Sequence, residues 1–348
     1  MRLLIFALTA LLLTGCYDKV ELEERAFAGA LSVDYSDEGI VLGIEPLSLS
    51  EENDSGDDDE GRNIGQKTKE SLAVAMIAMN DASPKTLSYG LSKAVIFGEE
   101  LLEDDEQLKA AAAALVKNGE ICGKLLVMAT RGEASELLKN EPENEKSLGF
   151  YIQKHYKNAA RQASSTLMLE LETFAEALRR GDGVLIPLIS FDDESKRFEF
   201  SGAAVVKEGL MGFVEEDEIN GLCWVKGLGA GRILHLDEDD ERATLRVSRQ
   251  RARISFYEDE GLVCRLRVNV QGVLEENTNF DAKSAEKAFA KKISDEIRET
   301  QKSLAKLGID GYGLADKLQK RAPRLHEMHG GLPDRMVMDV EVRVRISN

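Results

Sequence analysis

Residues 281–307 read DAKSAEKAFAKKISDEIRETQKSLAKL, and the spacing of the apolar side chains in this stretch decides how the chain must pack. Phe289, Ile293, Ile297, Leu304 and Leu307 recur at helical intervals, so they line one face of an α-helix. At 1.5 Å per residue the helix is about 40 Å long, and a stripe of that kind belongs against a sheet. Upstream, from 184 to 274, the texture is β-rich, with short segments at 184–191, 198–207, 210–214, 222–226, 243–257 and 261–274 separated by charged turns. That pattern predicts a meander or antiparallel sheet. Downstream, Gly308, Gly311 and Gly313 break the long helix, 314–321 predicts a shorter one, and 336–346 alternates apolar with charged residues as a final strand. Residues 184–348 are therefore expected to form an antiparallel sheet carrying a long helix on one face.

The region before it, 16–183, has a different rhythm. Two apolar runs, 26–33 and 40–47, flank Asp34-Tyr35-Ser36-Asp37-Glu38-Gly39, which is a hairpin signal. Residues 50–63, SEENDSGDDDEGRN, contain no apolar side chain and predict a mobile, solvated loop; the regular spacing and terminal Glu of an EF-hand loop are missing. Beyond it, 67–79 predicts a helix with Leu72, Ala75, Met76 and Met79 on one face. A strand at 92–98, an Ala-rich helix at 99–117, a strand at 124–129 and a short helix at 134–139 follow. Glu141-Pro142-Glu143-Asn144 interrupts the pattern before helices at 148–162 and 167–180. Helix and strand alternate, so this part is α/β or α+β, and the chain as a whole is read as mixed α+β in more than one domain.

With 348 residues, 43% hydrophobic and 31% charged, the chain is long enough for two or three cores. The formal net charge of −18 argues against nucleic acid and against a polybasic grip on anionic lipid, and favours partner loops bearing Lys or Arg. The N-terminus, MRLLIFALTALLLTGCYDK, supplies a basic residue, an apolar run too short to cross a bilayer, and small residues where a peptidase cuts. Leu13-Thr14-Gly15-Cys16 resembles a bacterial lipobox, so residues 1–15 are read as a signal peptide and Cys16 as the lipid-attachment residue; an ordinary secretory signal is the competing reading. Cys122, Cys223 and Cys264 then remain. Their neighbours suggest buried strand positions, and a Cys223 to Cys264 disulfide is open.

Together these residues resemble the Ger(x)C lipoproteins, the C subunits of bacterial spore germinant receptors. The resemblance begins at Gly15-Cys16-Tyr17-Asp18-Lys19-Val20-Glu21-Leu22 and the strand ending Ser32-Val33-Asp34, and continues at Ala94-Val95-Ile96-Phe97-Gly98-Glu99-Glu100. Ser201 to Gly212, then Gly221-Leu222-Cys223-Trp224-Val225-Lys226-Gly227, then Gly308-Ile309-Asp310-Gly311-Tyr312-Gly313 complete it in order. Tyr17 stands where the family usually has tryptophan, and 321–329 lacks the tryptophans usual there. The resemblance implies a non-catalytic, lipid-anchored subunit assembled with two integral membrane subunits, on the outer face of the spore inner membrane, in a complex that responds to small nutrients. Whether this subunit itself binds a germinant is left open.

No His-Glu-x-x-His, Gly-x-Ser-x-Gly or Walker sequence occurs in the chain. Lys226-Gly227-Leu228-Gly229-Ala230-Gly231 is read as a turn among strands, and His326 and His329, beside Pro323 and Gly330, as no metal pair. No catalytic residue, cofactor or metal ligand is therefore expected. The competing classes are a lipid-anchored hydrolase whose carboxylates meet only in the fold, and a solute-binding lipoprotein, which would need two similar lobes. Because residues 50–63 offer nothing to bury, replacing them with a Gly/Ser linker is expected to leave the melting temperature nearly unchanged; a fall of several degrees on thermal scanning would show that the acidic run is docked or binds an ion.

Overall fold

The computed structural model describes residues 21, 24–47, 65–145, 147–162, 167–238, 241–278, 281–332 and 336–347. The leader, Cys16 and the acidic run 50–63 lie outside the described residues. The expected hairpin is β1 (Arg25–Ser36) and β2 (Gly39–Leu47), antiparallel. Residues 67–69, expected to open the next helix, instead belong to β3 (Gly65–Lys69), which pairs antiparallel with β2. The helix α1 (Leu72–Ala82) begins only after Ser71, whose hydroxyl accepts a hydrogen bond from Val74 N. A short β4 (Thr86–Ser88) and then β5 (Ala94–Phe97) pair parallel with β1. The single Ala-rich helix expected at 99–117 is two, α2 (Glu99–Glu103) and α3 (Asp105–Lys117). Asp104 separates them because its carboxylate accepts from Gln107 N at 3.0 Å and so starts a new helix.

Next come β6 (Leu126–Ala129), parallel to β5, then α4 (Ala134–Leu138), α5 (Leu148–Gln162) and α6 (Leu171–Arg180). One face of this first sheet, through Leu31, Val33, Val95, Phe97 and Val127, builds a large core with α1, α3 and α6. The other, through Ala30, Ile96 and Met128, packs on α4 and α5.

The middle of the chain holds β7 (Val184–Pro187), β8 (Ser190–Asp192), β9 (Arg197–Glu199), β10 (Ala203–Val206) and β11 (Leu210–Val214). The segment expected as one strand at 198–207 is divided, because β9 pairs with β8 in a two-stranded ribbon while β10 lies between β7 and β11. Within this three-stranded sheet, β7 and β10 are buried on both faces. Val184, Ile186, Ala204 and Val206 face the first core, and Leu185, Ala203 and Val205 face a second one.

The second core belongs to the C-terminal elements. Residues 222–226, expected as a strand, are the end of a helix, α7 (Glu216–Lys226). The Glu218 carboxylate accepts the Glu215 N–H at its start, and Gly227 closes it with φ +81°. The expected turn of glycines therefore follows a helix rather than sitting among strands. Then β12 (Ile233–Glu238), an additional strand, joins β13 (Glu241–Glu258) and β14 (Leu262–Thr278) in antiparallel order. The long helix is α8 (Ala282–Lys306), with Phe289, Ile293, Ile297 and Leu304 buried as the stripe requires. After α9 (Leu314–Arg321) comes an unexpected α10 (Pro323–His329), whose Pro323 occupies the first turn, where a missing N–H costs nothing. The last strand, β15 (Val337–Ser347), adds to β14 in parallel, so the C-terminal sheet is mixed. Its order is β12-β13-β14-β15.

Because β7 contributes adjacent residues to two cores, damage on either face is expected to reach the whole chain. Ile186→Ala and Leu185→Ala should each cost about 2–5 kcal/mol, and calorimetry should show both shifting one common transition. Two separately shifted transitions would mean that the cores unfold independently.

Candidate functional site

The sequence segments that carry the resemblance come to rest at packing junctions. At the end of β1, the buried Asp34 carboxylate accepts Ala134 N at 2.6 Å and Ser135 N at 3.0 Å, holding the start of α4. Gly98 lies so close that a Cβ there would stand 2.0 Å from Asp34 Oδ1. Glu99, next in the chain, accepts Gly132 N at 2.9 Å, tying the same loop from the other side. On β2, Glu45 does the equivalent for α5, accepting Leu148 N at 2.6 Å and Ser147 Oγ at 2.7 Å. A carboxylate set on a rigid strand and aimed at free backbone amides is a structural clamp.

The segment Gly221 to Gly227 seals α7 onto α8. Gly221 N donates to Thr300 Oγ1 at 2.9 Å, and a Cβ on Gly221 would meet Glu296 O at 2.6 Å, so only glycine lets the helix backbones approach this closely. Trp224, fully buried, donates from Nε1 to Glu296 Oε2 at 2.6 Å. Arg232 pairs with the same carboxylate at 3.5 Å and lies 5.2 Å from the indole ring centre. Beyond α8, Tyr312 Oη donates to Ile297 O at 2.7 Å. These groups are consumed in holding elements together.

Of the cysteines, Cys122 sits exposed in a turn rather than in a strand, Cys223 is buried on α7, and Cys264 is buried on β14. None of the three is in a disulfide, so the Cys223 to Cys264 bridge is not formed. Burial and the nearby Asp310 push the Cys264 thiol up to about 12, which makes it unreactive. His329 Nε2 lies 2.7 Å from Glu258 Oε2, and among the described residues no group of three or more His, Cys, Asp or Glu is placed to hold a metal. His155, stacked 3.8 Å from the Phe200 ring, has its pKa lowered by burial. Two surface hollows stand out. One of about 610 Å³ lies among Asp217, His235, Lys291 and Glu299, and another of about 460 Å³ has a more apolar lining of Met76, Ile77, Leu87 and Tyr89.

Burial raises the Asp34 carboxyl from 3.8 to about 6, against the opposing pull of the Ala134 and Ser135 amides. The folded chain therefore keeps a proton there that the unfolded chain releases, and stability falls as pH rises through that window. Asp34→Asn cannot ionise. Relative to this variant, the wild type is expected to lose about 2 kcal/mol between pH 4 and pH 6, read from urea midpoints at successive pH values; parallel curves would contradict the assignment.

The chain matches two family models, the spore germination protein N-terminal domain over residues 18–191 and the spore germination B3/GerAC-like C-terminal domain over residues 201–348. It is 24% identical to spore germination protein B3 of Bacillus subtilis (strain 168) over 323 residues, covering 89% of this chain and 82% of that protein. Its fold is similar to the crystal structure of the GerBC protein, with a TM-score of 0.61 at 17% identity, covering 91% of this chain and 97% of that one. With both family domains matched in order along a single chain, the protein belongs to the Ger(x)C family of spore germination proteins.

Proposed function

We propose that this chain is the lipid-anchored, non-catalytic C subunit of a nutrient germinant receptor, held at the spore inner membrane through Cys16 and assembled with two integral membrane subunits. The observation that carries the reading is the fate of the family segments: Asp34 with Gly98, Gly221 with Trp224, and the turn after α8 are all committed to contacts within the chain. What remains for function is surface. Among the described residues no helix is long and apolar enough to cross a membrane, and in this reading the leader 1–15 is removed and diacylglycerol on Cys16 supplies the attachment. A second acyl chain would make that attachment durable, since one chain binds a bilayer only marginally. Confinement to the membrane raises the effective concentration of the chain toward integral partners, so a weak interface suffices. The proposed division into an N-terminal region 16–183 and a C-terminal region 184–348 places the doubly buried sheet at the start of the second.

Cys16→Ala is expected to leave a folded, soluble chain while sharply reducing the nutrient response of spores. Mass spectrometry of the wild-type N-terminal peptide should show the lipid mass on Cys16, and the two membrane subunits should co-purify with the anchored form. Turnover of a substrate by the soluble chain alone, or normal germination of deletion spores on every nutrient tested, would overturn the reading in favour of an enzyme.

A further inference from the structure

The face of the C-terminal sheet turned away from α8 is an arginine surface on a chain whose formal charge is −18. Arg249, Arg251 and Arg253 follow one another at alternate positions of β13, all exposed. The register sets Arg253 directly opposite Arg267 of β14, and Arg251 and Arg249 opposite Asn269 and Gln271. Like charges opposed across strands destabilise a sheet, and same-face neighbours on one strand stand only about 7 Å apart. Among the described residues, Arg249, Arg251 and Arg253 have no ion pair or side-chain hydrogen bond to offset this. The core does not require them, because it is made by the opposite face, through Ile254, Leu266 and Val268.

The neighbouring strand shows what this lattice of arginines accepts. On β15, Asp339 lies against Arg265 at 2.6 Å and Glu341 against Arg267 at 2.8 Å. Carboxylates two residues apart on an extended strand thus meet arginines two residues apart. On the far side, β12 pairs with β13 only as far as Arg246. From Ser248 onward no described strand pairs with that edge, and the Ile254 carbonyl accepts from Arg321 Nη1 at 3.1 Å instead. The ends of the hairpin are acidic: Glu258, Asp259 and Glu260 are exposed at one, Glu275 and Glu276 at the other.

We propose that this face docks an extended, acidic segment of a partner protein, with carboxylates at alternate positions seated on Arg251, Arg253 and Arg249 as Asp339 and Glu341 are seated on Arg265 and Arg267. A single segment fits between the acidic ends, whereas a plane of anionic lipid broad enough to cover the arginines would be repelled by them. The polarity is opposite to the one that net charge favours, because docking responds to charge within about 8 Å at physiological salt rather than to the total. The inference deepens the reading of this chain as a subunit that works through its surface, yet its test needs no spore, receptor or lipid, so either can fail without the other.

The probe is a short fluorescent peptide in which Glu alternates with Thr, titrated at low salt with the purified chain and followed by anisotropy. Binding should weaken as salt is added and become about tenfold weaker in Arg251→Ser/Arg253→Ser, the loss of two solvent-exposed charge pairs. Arg179→Ser, at an exposed arginine of α6, should bind as the wild type does. The urea midpoint of the double variant should be no lower than that of the wild type, and Arg249→Ser alone provides a milder variant with the same expected direction. No binding at low salt, equal binding of a peptide alternating Lys with Thr, or equal loss in Arg179→Ser would overturn the proposal. So would binding to phosphatidylglycerol vesicles without binding to the peptide, or self-association of the chain that the double variant abolishes, since these would assign the face to lipid or to a second copy.

Discussion

A narrow sheet buried on both faces holds the molecule together. Ala203, Ala204, Val205 and Val206 of β10 are all fully buried, and they point alternately into two different cores. A strand in that position can spare no side chain for solvent, and its backbone must be paired on both edges, as β7 and β11 pair it. Each fully buried valine contributes about 1.5–3 kcal/mol relative to exposure, and here that contribution couples the N-terminal and C-terminal regions. Doubly buried sheets are usually parallel and covered by crossover helices. This one is antiparallel, and it is covered by two separate assemblies of helix and sheet.

The same economy governs the polar groups. Asp34 and Glu45 leave neighbouring strands of the first sheet and clamp the starts of two helices on one of its faces. Trp224 and Arg232 converge on Glu296, so that α7, α8 and the approach to β12 share one partly buried carboxylate. Buried polar groups left unpaired cost far more than paired ones gain, and each of these clusters pairs its members internally. Segments scattered along a long chain thus meet in internally paired structural clamps.

Charge is distributed by the fold in a way that the total conceals. The acidic surplus gathers in turns, at hairpin ends and in the run 50–63, while arginines collect on one face of the β13–β14–β15 sheet because their positions share a parity along each strand. Shifting the register by one residue would bury them and expose Ile254, Leu266 and Val268. The apolar face therefore specifies the register, and the register places the arginines.

Much of this was legible in the residues themselves, and the remainder was not for a common reason. The long helix, the first hairpin and the 314–321 helix follow from spacing within one segment, where an apolar stripe or a turn between alternating runs has a single solution. The family, likewise, was legible from short segments in collinear order. Local pattern failed wherever a second segment decided the outcome. Leu222 to Val225 is apolar enough for a strand, and it is a helix because α8 and the second core bury several of its sides at once. Residues 67–69 look helical until β2 offers an edge to pair with. Asp34 reads as a turn residue and becomes a buried clamp only when Ala134 and Ser135 arrive from a hundred residues away. The amino-acid sequence by itself determined the periods, the breaks and the kinship, since these are properties of neighbours along the chain. The register of β14 with β15, the sheet shared between two cores and the arginine face depend on pairs of distant segments, and only the tertiary structure decided them.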